Sequence, residues 1–373
     1  MTSGRDASVT VRGRSLPGLR RRGLLPVALV LLAALAGCGS AGHRPSGATT
    51  GLSPGSAATS AAGAAAGVRQ IPVKVASPPL KGTLTLPAGK GPFPAVVLVS
   101  GSGPGDQDET VGPNKPLRDI ALGLAARGIA SVRYDKRTRD YPQSVDPVTF
   151  TMAQEYVPDA LAAIGLLKRQ PAVYRRSIFV LGHSQGGTYA PLIAKSAPQV
   201  AGVILLAAGA EPLGAAMLRQ VRYLATLPGT TGEQAKVQLA QTGSIAAQID
   251  SPAVLEQLSP GTVLLGGAGP AYFLSGLGYD EVATARSIHQ PLLLLQGGRD
   301  YQVTVADDLD VWLQGLMGRK GVTVVRFPSA DHLFLDGRGA PTPLEYQQPG
   351  QVDPKVMDAI ASWIGRVEHA SGR

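Results

Sequence analysis

Short apolar runs alternate with amphipathic, helix-like segments from about residue 68 onward. The apolar runs predict strands at 68–77, 82–87, 95–101, 129–135, 177–181, 200–209, 291–296 and 322–327. The clearest helix, 152–170, has an apolar face made of Val157, Leu161, Ile164 and Leu167. The first two strands are expected to form an antiparallel pair. Because the later strands alternate with helices, the pattern predicts a mainly parallel sheet flanked by helices, an α/β fold.

This alternation breaks after the sixth predicted strand. Two helix-like stretches, 211–227 and 233–258, follow each other without a strand, and a Gly-rich apolar stretch, 261–278, comes next. The sheet pattern resumes at Pro291, and a last helix is expected over 354–369. We therefore expect a helical cap inserted after strand 6. The expected division is a core of 68–210 and 286–373 with a cap insertion at 211–285.

The first 67 residues follow a third pattern. Five arginines between residues 12 and 22 precede the apolar run 24–36, which is too short to cross a bilayer. Leu35-Ala36-Gly37-Cys38 resembles a bacterial lipobox, so residues 1–37 are expected to be a signal peptide. Cys38, the only cysteine, would carry lipid and hold the protein on the outer face of the bacterial cell membrane. Arg21-Arg22 leaves Sec and twin-arginine export both open.

Residues 38–67 are mostly Ala, Gly, Ser and Thr and are expected to form a flexible tether, because they cannot bury enough apolar surface to fold. The formal net charge of the chain is +9. Six arginines and one aspartate in residues 1–37 account for five of these charges. The remainder has no basic stripe interleaved with aromatic residues, so a nucleic-acid partner is not indicated.

Gly182-His183-Ser184-Gln185-Gly186 joins the predicted strand 177–181 to a helix-like segment at 187–197. A G-x-S-x-G sequence in this position is typical of a nucleophile elbow, whose tight turn needs small flanking residues. The turn exposes the Ser184 hydroxyl and directs the backbone N–H of Gln185 to the same point. Ser184 is therefore the candidate nucleophile, and the Gln185 N–H is one candidate oxyanion donor.

A serine hydroxyl needs a general base, which in the α/β-hydrolase chain order comes last. His332 fits because it lies in the loop after the last predicted strand, 322–327. The other four histidines fit less well: His43 in the tether, His183 inside the elbow, His289 before a strand and His369 at the end of the last helix.

The carboxylate that orients the base should lie between nucleophile and base. Asp300 follows the apolar run 291–296, at the carboxyl end of a buried strand, where open α/β sheets bind ligands. Asp331 is adjacent to His332 and cannot easily turn back to orient it. Three aspartates in the next predicted helix are interpreted as solvated charges: Asp307, Asp308 and Asp310. The predicted triad is Ser184, Asp300 and His332.

The second oxyanion donor is expected from the loop 100–105, Ser-Gly-Ser-Gly-Pro-Gly, after the third strand. The Ser102 N–H is the first candidate and Gly103 the alternative. Removing one such donor typically costs about 10²–10³ in turnover. The loop lacks the Lys-Ser/Thr ending of a phosphate-binding P-loop.

Further motifs extend this pattern over roughly residues 70–368. They are Gly101-Ser102-Gly103-Pro104 with Asp106, Asp108 and Glu109, Gly112-Pro113-Asn114-Lys115-Pro116, Arg133-Tyr134-Asp135-Lys136-Arg137, Gly182 to Gly187, Gly298-Arg299-Asp300-Tyr301-Gln302-Val303, Glu345-Tyr346 and Val352-Asp353. With them the chain resembles bacterial α/β-hydrolase esterases of the EstD type, close to the serine-aminopeptidase-like hydrolases. The resemblance implies an α/β-hydrolase fold and a carboxylesterase triad of Ser184, Asp300 and His332. Two positions depart from it: Ser100, where many relatives have His, and Gln185, where Leu or Met is common.

Two polar groups in these motifs are interpreted as structural. Asp135-Lys136-Arg137 is expected to form an ion network at a strand end. Asp106, Asp108 and Glu109 are expected to hold the oxyanion turn, because no histidine beside them completes a metal site. No metal and no cofactor is expected.

Together these features predict a serine carboxylesterase that hydrolyses short- to medium-chain esters through an acyl-enzyme intermediate. The wall of its acyl pocket is expected in the Gly-rich part of the cap, at Tyr272, Phe273 and Leu274. One alternative is a peptidase or thioesterase with the same triad. Another is a non-catalytic envelope lipoprotein on a hydrolase scaffold, which would not need to retain all three triad residues.

Overall fold

The computed structural model describes residues 67–370 and residue 372. Its centre is one eight-stranded sheet with the strand order β1-β2-β4-β3-β5-β6-β7-β8. The pairs β1–β2 and β2–β4 are antiparallel, and all other neighbours are parallel. The strands are β1 (Arg69–Val75), β2 (Leu80–Leu86), β3 (Phe93–Val99), β4 (Ala130–Tyr134), β5 (Val173–His183), β6 (Gly202–Leu206), β7 (Leu292–Gly297) and β8 (Val322–Phe327).

Eleven α-helices accompany this sheet in the part of the chain that the structure describes. They are α1 (Pro116–Ala125), α2 (Arg137–Asp140), α3 (Met152–Lys168), α4 (Gln185–Ser196), α5 (Leu213–Leu224), α6 (Gly232–Ile249), α7 (Pro252–Leu255), α8 (Pro270–Leu277), α9 (Glu281–Ser287), α10 (Asp310–Gly315) and α11 (Pro354–Ala370). A π-helical turn, Val305–Leu309, precedes α10, and short 3₁₀ turns occur at Pro142–Ser144, Leu265–Gly267 and Glu345–Gln347. Helices α5 to α9 all lie between β6 and β7, which confirms the predicted α/β fold with a helical insertion after strand 6.

Apolar side chains cover both faces of the sheet, as expected for strands that are apolar throughout. On one face, Val97 of β3 belongs to a core shared with Tyr156 of α3 and Ile193 of α4. On the other, Val96 packs in a second core with residues such as Trp363 of α11. The helices α3 and α4 therefore pack on one face of the sheet, and α11 packs on the other.

One long helix expected over 233–258 is broken in two. Helix α6 ends at Ile249, and α7 starts at Pro252 with the Ser251 hydroxyl accepting the Val254 N–H. Proline cannot donate to the helix before it but suits the first turn of a new one. The break therefore follows from Ser251-Pro252.

Asp308 corrects the sequence interpretation of the aspartates after β7. The sequence suggests a solvated charge at this position, but the Asp308 side chain is only 1% exposed. Its Oδ1 accepts the Ala210 N–H at 2.9 Å, and its Oδ2 accepts from the Thr304 N–H at 2.7 Å and from Arg219 Nη2 at 2.9 Å. Burial outweighs these contacts and raises the pKa of Asp308 to about 6. Asp308 thus joins the start of the cap to the core.

Among the described residues, no helix is long and apolar enough to cross a membrane, and no group of three or more His, Cys, Asp and Glu residues is arranged to hold a metal ion. The expected signal peptide, Cys38 and nearly all of the tether lie outside the described residues.

Candidate active site

Ser184 occupies the sharp turn between β5 and α4. Its backbone has φ +52° and ψ −126°, a conformation that is rare for a residue with a side chain and is typical of strained functional turns. The flanking glycines leave room for it. A Cβ on Gly182 would lie 2.1 Å from the Gly186 carbonyl oxygen, and one on Gly186 would lie 2.5 Å from the Ser100 carbonyl oxygen. The G-x-S-x-G pattern is therefore a steric requirement of this turn.

Asp300 and His332 form a buried dyad. Asp300 follows β7, and its Oδ2 lies 2.7 Å from His332 Nδ1; their side chains are 0% and 7% exposed. A carboxylate can only accept, so His332 Nδ1 carries the proton. In the neutral ring this leaves Nε2 as the acceptor, which is the tautomer a general base needs.

The loop that carries His332 is hydrogen-bonded to the elbow turn that carries Ser184. His183 Nε2 donates to the His332 carbonyl at 2.9 Å, and the two imidazole rings are 4.7 Å apart. Within the described part of the chain, no hydrogen bond joins the Ser184 hydroxyl to the His332 ring. Hydrogen bonds of this kind often tighten only when substrate binds. The structure thus brings the three predicted triad residues together. The hydrogen bond between the Ser184 hydroxyl and the His332 ring is the one contact of the triad that the described residues do not form.

Both expected oxyanion donors lie beside Ser184. Gln185 is the first residue of α4, so its N–H has no acceptor within the helix and points from a helix N-terminus. The loop after β3 passes on the other side, where a Cβ on Gly101 would lie 3.0 Å from the Ser184 Cβ. The N–H of the exposed Ser102 makes no hydrogen bond to any described residue. Gly103, the alternative, follows with φ +81°.

Glu109 holds this loop from one side, as the interpretation of the acidic group expected. Its Oε1 accepts the Gly101 N–H at 2.5 Å and lies 3.0 Å from His183 Nδ1. The second contact is an ion pair when the imidazole is protonated. Burial opposes charge on both groups, but their mutual attraction lowers the pKa of Glu109 and raises the pKa of His183.

His183 is the residue that sequence reasoning set aside. Its Nε2 must carry a proton to donate to the His332 carbonyl, and its Nδ1 faces a carboxylate. Both contacts are favourable together only when the ring is a protonated imidazolium. The sequence contained one signal for the pairing of His183 with Glu109. A histidine lies next to the nucleophile, and an acidic cluster lies just after the oxyanion loop. Pairing them required the fold, because Glu109 and His183 are far apart in sequence.

Lys136 contacts the same loop, 100–105, from a buried position. Its Nζ donates to the Gly101 carbonyl at 2.8 Å and lies 2.7 Å from Glu155 Oε1 and 3.0 Å from the Tyr156 hydroxyl. Tyr156 in turn lies 2.8 Å from Gln185 Oε1. Of the three residues expected in an ion network, Lys136 and Arg137 form ion pairs, with Glu155 and Asp159, whereas Asp135 accepts the Gln107 N–H. Lys136 also reaches the oxyanion loop.

The three cap residues expected in the acyl pocket have different environments. The Tyr272 hydroxyl donates to Glu155 Oε2 at 2.5 Å, and its ring stacks near Phe150. Phe273 is 2% exposed and belongs to the core, while Leu274 packs against that core from its edge. Their contact with an acyl chain stays a prediction.

Asp331 has turned away from its neighbour, as expected. Its Oδ1 accepts the N–H groups of Leu333 and Leu335 at 2.9 and 3.0 Å, which shapes the loop around His332. Burial, only partly offset by these bonds, raises the pKa of Asp331 to about 6. The structure gives it no contact with the His332 ring nitrogens.

Residues 116–336 match the family model described as "Serine aminopeptidase, S33". This match covers more than half of the chain and contains Ser184, Asp300 and His332. The chain belongs to this family of hydrolases. The oxyanion loop precedes the matched range.

Relatives agree with this placement. Esterase EstD of Thermotoga maritima is 42% identical over 285 residues, which cover 76% of this chain and 65% of that protein. This confirms the EstD-type resemblance, although the chain spans only about two thirds of the length of that relative. A puromycin-hydrolyzing peptidase of Mycobacterium tuberculosis superimposes with a TM-score of 0.51 at 16% identity, over 80% of this chain and 39% of that one. An esterase of Pyrococcus furiosus gives 0.49 at 16% identity, over 81% and 91%. The mycobacterial structure shares the fold.

Proposed function

We propose that this protein is a serine carboxylesterase. The observation that carries the proposal is the dyad of Asp300 and His332 at 2.7 Å, whose loop hydrogen-bonds to the elbow that presents Ser184. A nucleophile on a strained turn, an oriented base and two backbone donors form the complete set for acyl transfer. The similarity to a protein named an esterase supports the choice of esters.

In the proposed reaction, His332 Nε2 takes the Ser184 proton as Oγ attacks the ester carbonyl carbon. The carbonyl oxygen becomes an oxyanion between the N–H groups of Gln185 and Ser102. The imidazolium, held by Asp300, then gives its proton to the departing alkoxide, and the acyl group stays on Ser184. Water, deprotonated by His332, attacks the acyl-enzyme, and the acid leaves as Ser184 regains its proton.

The charges near the nucleophile support an ester rather than an aminopeptide substrate. An aminopeptidase must bind a free α-ammonium group, which a carboxylate close to the nucleophile would do. Glu109, which bonds the Gly101 N–H, and Glu155, which pairs with the lysine on the Gly101 carbonyl, are each already paired, with His183 and Lys136. Neither offers a free charge to an ammonium group.

We also propose that the enzyme prefers short- to medium-chain acyl groups. Tyr272 is held in the cap by its hydrogen bond to Glu155, and Phe273 is held there by burial. These contacts support a rigid wall for the acyl pocket. Each additional methylene contributes only about 1–3 kcal/mol to discrimination, so the preference should fall gradually, from roughly C2–C8 towards longer chains.

The test is a series of p-nitrophenyl esters from acetate to palmitate, with aminoacyl anilides and acyl-CoA for comparison. We expect Ser184→Ala to lower kcat by about 10⁴–10⁶ and to abolish fluorophosphonate labelling while the protein stays folded. Ser144→Ala, which changes an exposed serine bonded only to its own turn, is the control. Labelling that persists in Ser184→Ala would assign the nucleophile elsewhere, and a wild type that prefers palmitate would contradict the chain-length proposal.

We further propose that the enzyme is exported and anchored by lipid on Cys38 to the outer face of the bacterial membrane. The support is the sequence alone: an arginine-rich start, a short apolar run and a lipobox-like Leu35-Ala36-Gly37-Cys38.

A further inference from the structure

The peptide group between Gly101 and Ser102 is held at its carbonyl oxygen by a buried ammonium group. Lys136 Nζ donates to this oxygen at 2.8 Å, and the Lys136 side chain is 4% exposed. The peptide is trans. In a planar trans peptide the C=O and the N–H point in opposite directions. Fixing the oxygen towards buried Lys136 therefore turns the Ser102 N–H towards the exposed side of the loop, beside Ser184.

The ammonium group is also linked to the side chain of Gln185, through the Tyr156 hydroxyl. Tyr156 Oη accepts from Lys136 Nζ at 3.0 Å, and its own proton faces two acceptors, Gln185 Oε1 at 2.8 Å and the Gly101 carbonyl oxygen at 3.1 Å. Gln185 supplies the other backbone N–H of the proposed oxyanion hole. One buried cation is thus connected to both halves of that hole, through a carbonyl on one side and a hydroxyl on the other.

Stability alone does not account for a charge at this depth. Lys136 has three N–H groups, and they meet three acceptors: the Gly101 carbonyl, Glu155 Oε1 and the Tyr156 hydroxyl. The ion pair with Glu155 compensates the buried charge, but replacing such a pair with apolar groups of similar volume often leaves stability unchanged or improves it. A cation on a carbonyl also polarises the peptide and makes its N–H a stronger donor.

We propose that Lys136, balanced by Glu155, is a positioning residue that aims and strengthens the oxyanion donors. It acts on the Ser102 N–H through the Gly101 carbonyl and on Gln185 through the Tyr156 hydroxyl. The inference rests on the proposed esterase function and deepens it. It concerns stabilisation of the tetrahedral intermediate, so it predicts an effect on kcat rather than on substrate binding.

The chain contains a matched control one residue away. Arg137 pairs with Asp159, and the partner carboxylate lies one helical turn after Glu155 on α3. The Asp159 side chain is 1% exposed. This pair joins the same two elements as Lys136 and Glu155, but neither of its residues contacts Gly101 or Gln185.

The experiment compares two neutralised pairs, Lys136→Met/Glu155→Gln and Arg137→Met/Asp159→Asn. The measurements are kcat and KM on p-nitrophenyl acetate, inhibition by an alkyl boronic acid, whose tetrahedral adduct with Ser184 occupies the oxyanion hole, and thermal unfolding. We expect the Lys136 pair variant to lose about 10²-fold in kcat with little change in KM, and its boronate Ki to rise in parallel. The Arg137 pair variant should keep both values close to wild type at a comparable unfolding temperature.

Tyr156→Phe provides a second test that leaves the ion pair in place. It removes the hydroxyl that lies between Lys136 and Gln185 and that is also 3.1 Å from the Gly101 carbonyl oxygen. We expect a smaller loss, about tenfold in kcat, again with weaker inhibition by the boronic acid. The proposal is overturned if the two pair variants lose kcat equally, or if the Lys136 variant changes KM alone while boronate affinity is retained.

Failure of the esterase proposal can be recognised separately. If wild type is labelled at Ser184 by a fluorophosphonate but hydrolyses no ester, the function is wrong. The labelling rates of the two pair variants then decide the role of Lys136, because phosphonylation also places an oxygen in the oxyanion hole. Equal labelling rates in the two pair variants would overturn the proposed role of Lys136. A wild type without labelling at Ser184 would overturn both proposals.

Discussion

Asp300 divides its two carboxylate oxygens between two tasks. Oδ1 accepts the N–H groups of Gln302 and Val303 at 2.8 and 2.9 Å, which fixes the carboxylate in its own loop. Oδ2 accepts from His332 Nδ1 at 2.7 Å and, at a longer 3.4 Å, from Gln296 Nε2. Because the carboxylate cannot rotate freely, it holds the imidazole in one orientation and one tautomer.

This arrangement predicts opposite outcomes for two neighbouring aspartates. Asp300→Asn should remain folded and lose about 10⁴ in kcat, because the amide presents a donor to His332 Nδ1 and favours the wrong tautomer. Asp331→Asn should retain most activity, because an amide oxygen can still accept the N–H groups of Leu333 and Leu335. The comparison needs kcat for both variants after unfolding temperatures confirm that each is folded. An inactive Asp331→Asn beside an active Asp300→Asn would reverse the assignment of the acid.

At the scale of elements, three segments meet around Ser184: the oxyanion loop, the elbow and the loop of the base. Glu109 contacts the oxyanion loop through the Gly101 N–H and the elbow through His183. His183 in turn donates to the carbonyl of His332. This buried pair therefore joins all three segments, and its charges should make their stability depend on pH.

The sign follows from the two pKa shifts. The pKa of His183 is raised above its ordinary value of 6.5, so its contribution is complete below that pH and is lost as pH rises through the raised value. The pKa of Glu109 is lowered from 4.5, so its contribution is complete above that pH and is lost on acidification through the lowered value. The pair should stabilise the fold most between pH 4.5 and pH 6.5.

We therefore expect Glu109→Gln to lower the free energy of unfolding by about 3 kcal/mol in this window, and by less as pH rises through the pKa of His183. Chemical denaturation of wild type and variant from pH 5 to pH 10 would show the difference shrinking. Asp310→Asn, which changes a surface pair with Arg326, serves as the control with little effect at any pH. A Glu109→Gln difference that stays constant over this range would contradict an ion pair.

For the whole molecule, the cap is tied to the core by buried polar contacts at two places. Arg219 of α5 donates to Asp308 beyond β7, and Tyr272 of α8 donates to Glu155 of α3. Each contact joins a cap helix to a segment that also supports the site. The cap thus meets the core at fixed points, in keeping with the proposed limit on acyl length.

Membrane attachment is the prediction that concerns the full chain. One acyl chain binds membranes only marginally, so stable anchoring needs at least two, as a bacterial lipoprotein cysteine would carry. We expect the full-length protein to fractionate with membranes, and Cys38→Ala to shift it to the soluble fraction or to block maturation. Ser40→Ala, two residues away, should fractionate as wild type does. An intact mass that starts the mature protein anywhere other than Cys38 would refute the anchor.

The features of this protein that could be predicted from sequence are those that depend on residues close together in the chain or on their position next to a strand. The sequence pattern predicted the eight strands in order, and the inner strands stood out because a strand buried on both faces must be apolar throughout. The elbow at Ser184 is a steric pattern within five residues. Asp300 and His332 were predictable because carboxyl ends of parallel strands meet at one edge of a sheet, so position after a strand implies position in space.

Which polar groups are buried, and which partners they pair with, depends on the tertiary structure. Lys136 meets a carbonyl 35 residues away, and Arg219 meets Asp308 at a separation of 89. Asp308 looks no different in sequence from its exposed neighbours, and His183 was set aside for being next to Ser184. The physical reason is that a charge is stable in the interior only beside a compensating partner. Folding alone brings that partner near, so chain spacing carries no record of it.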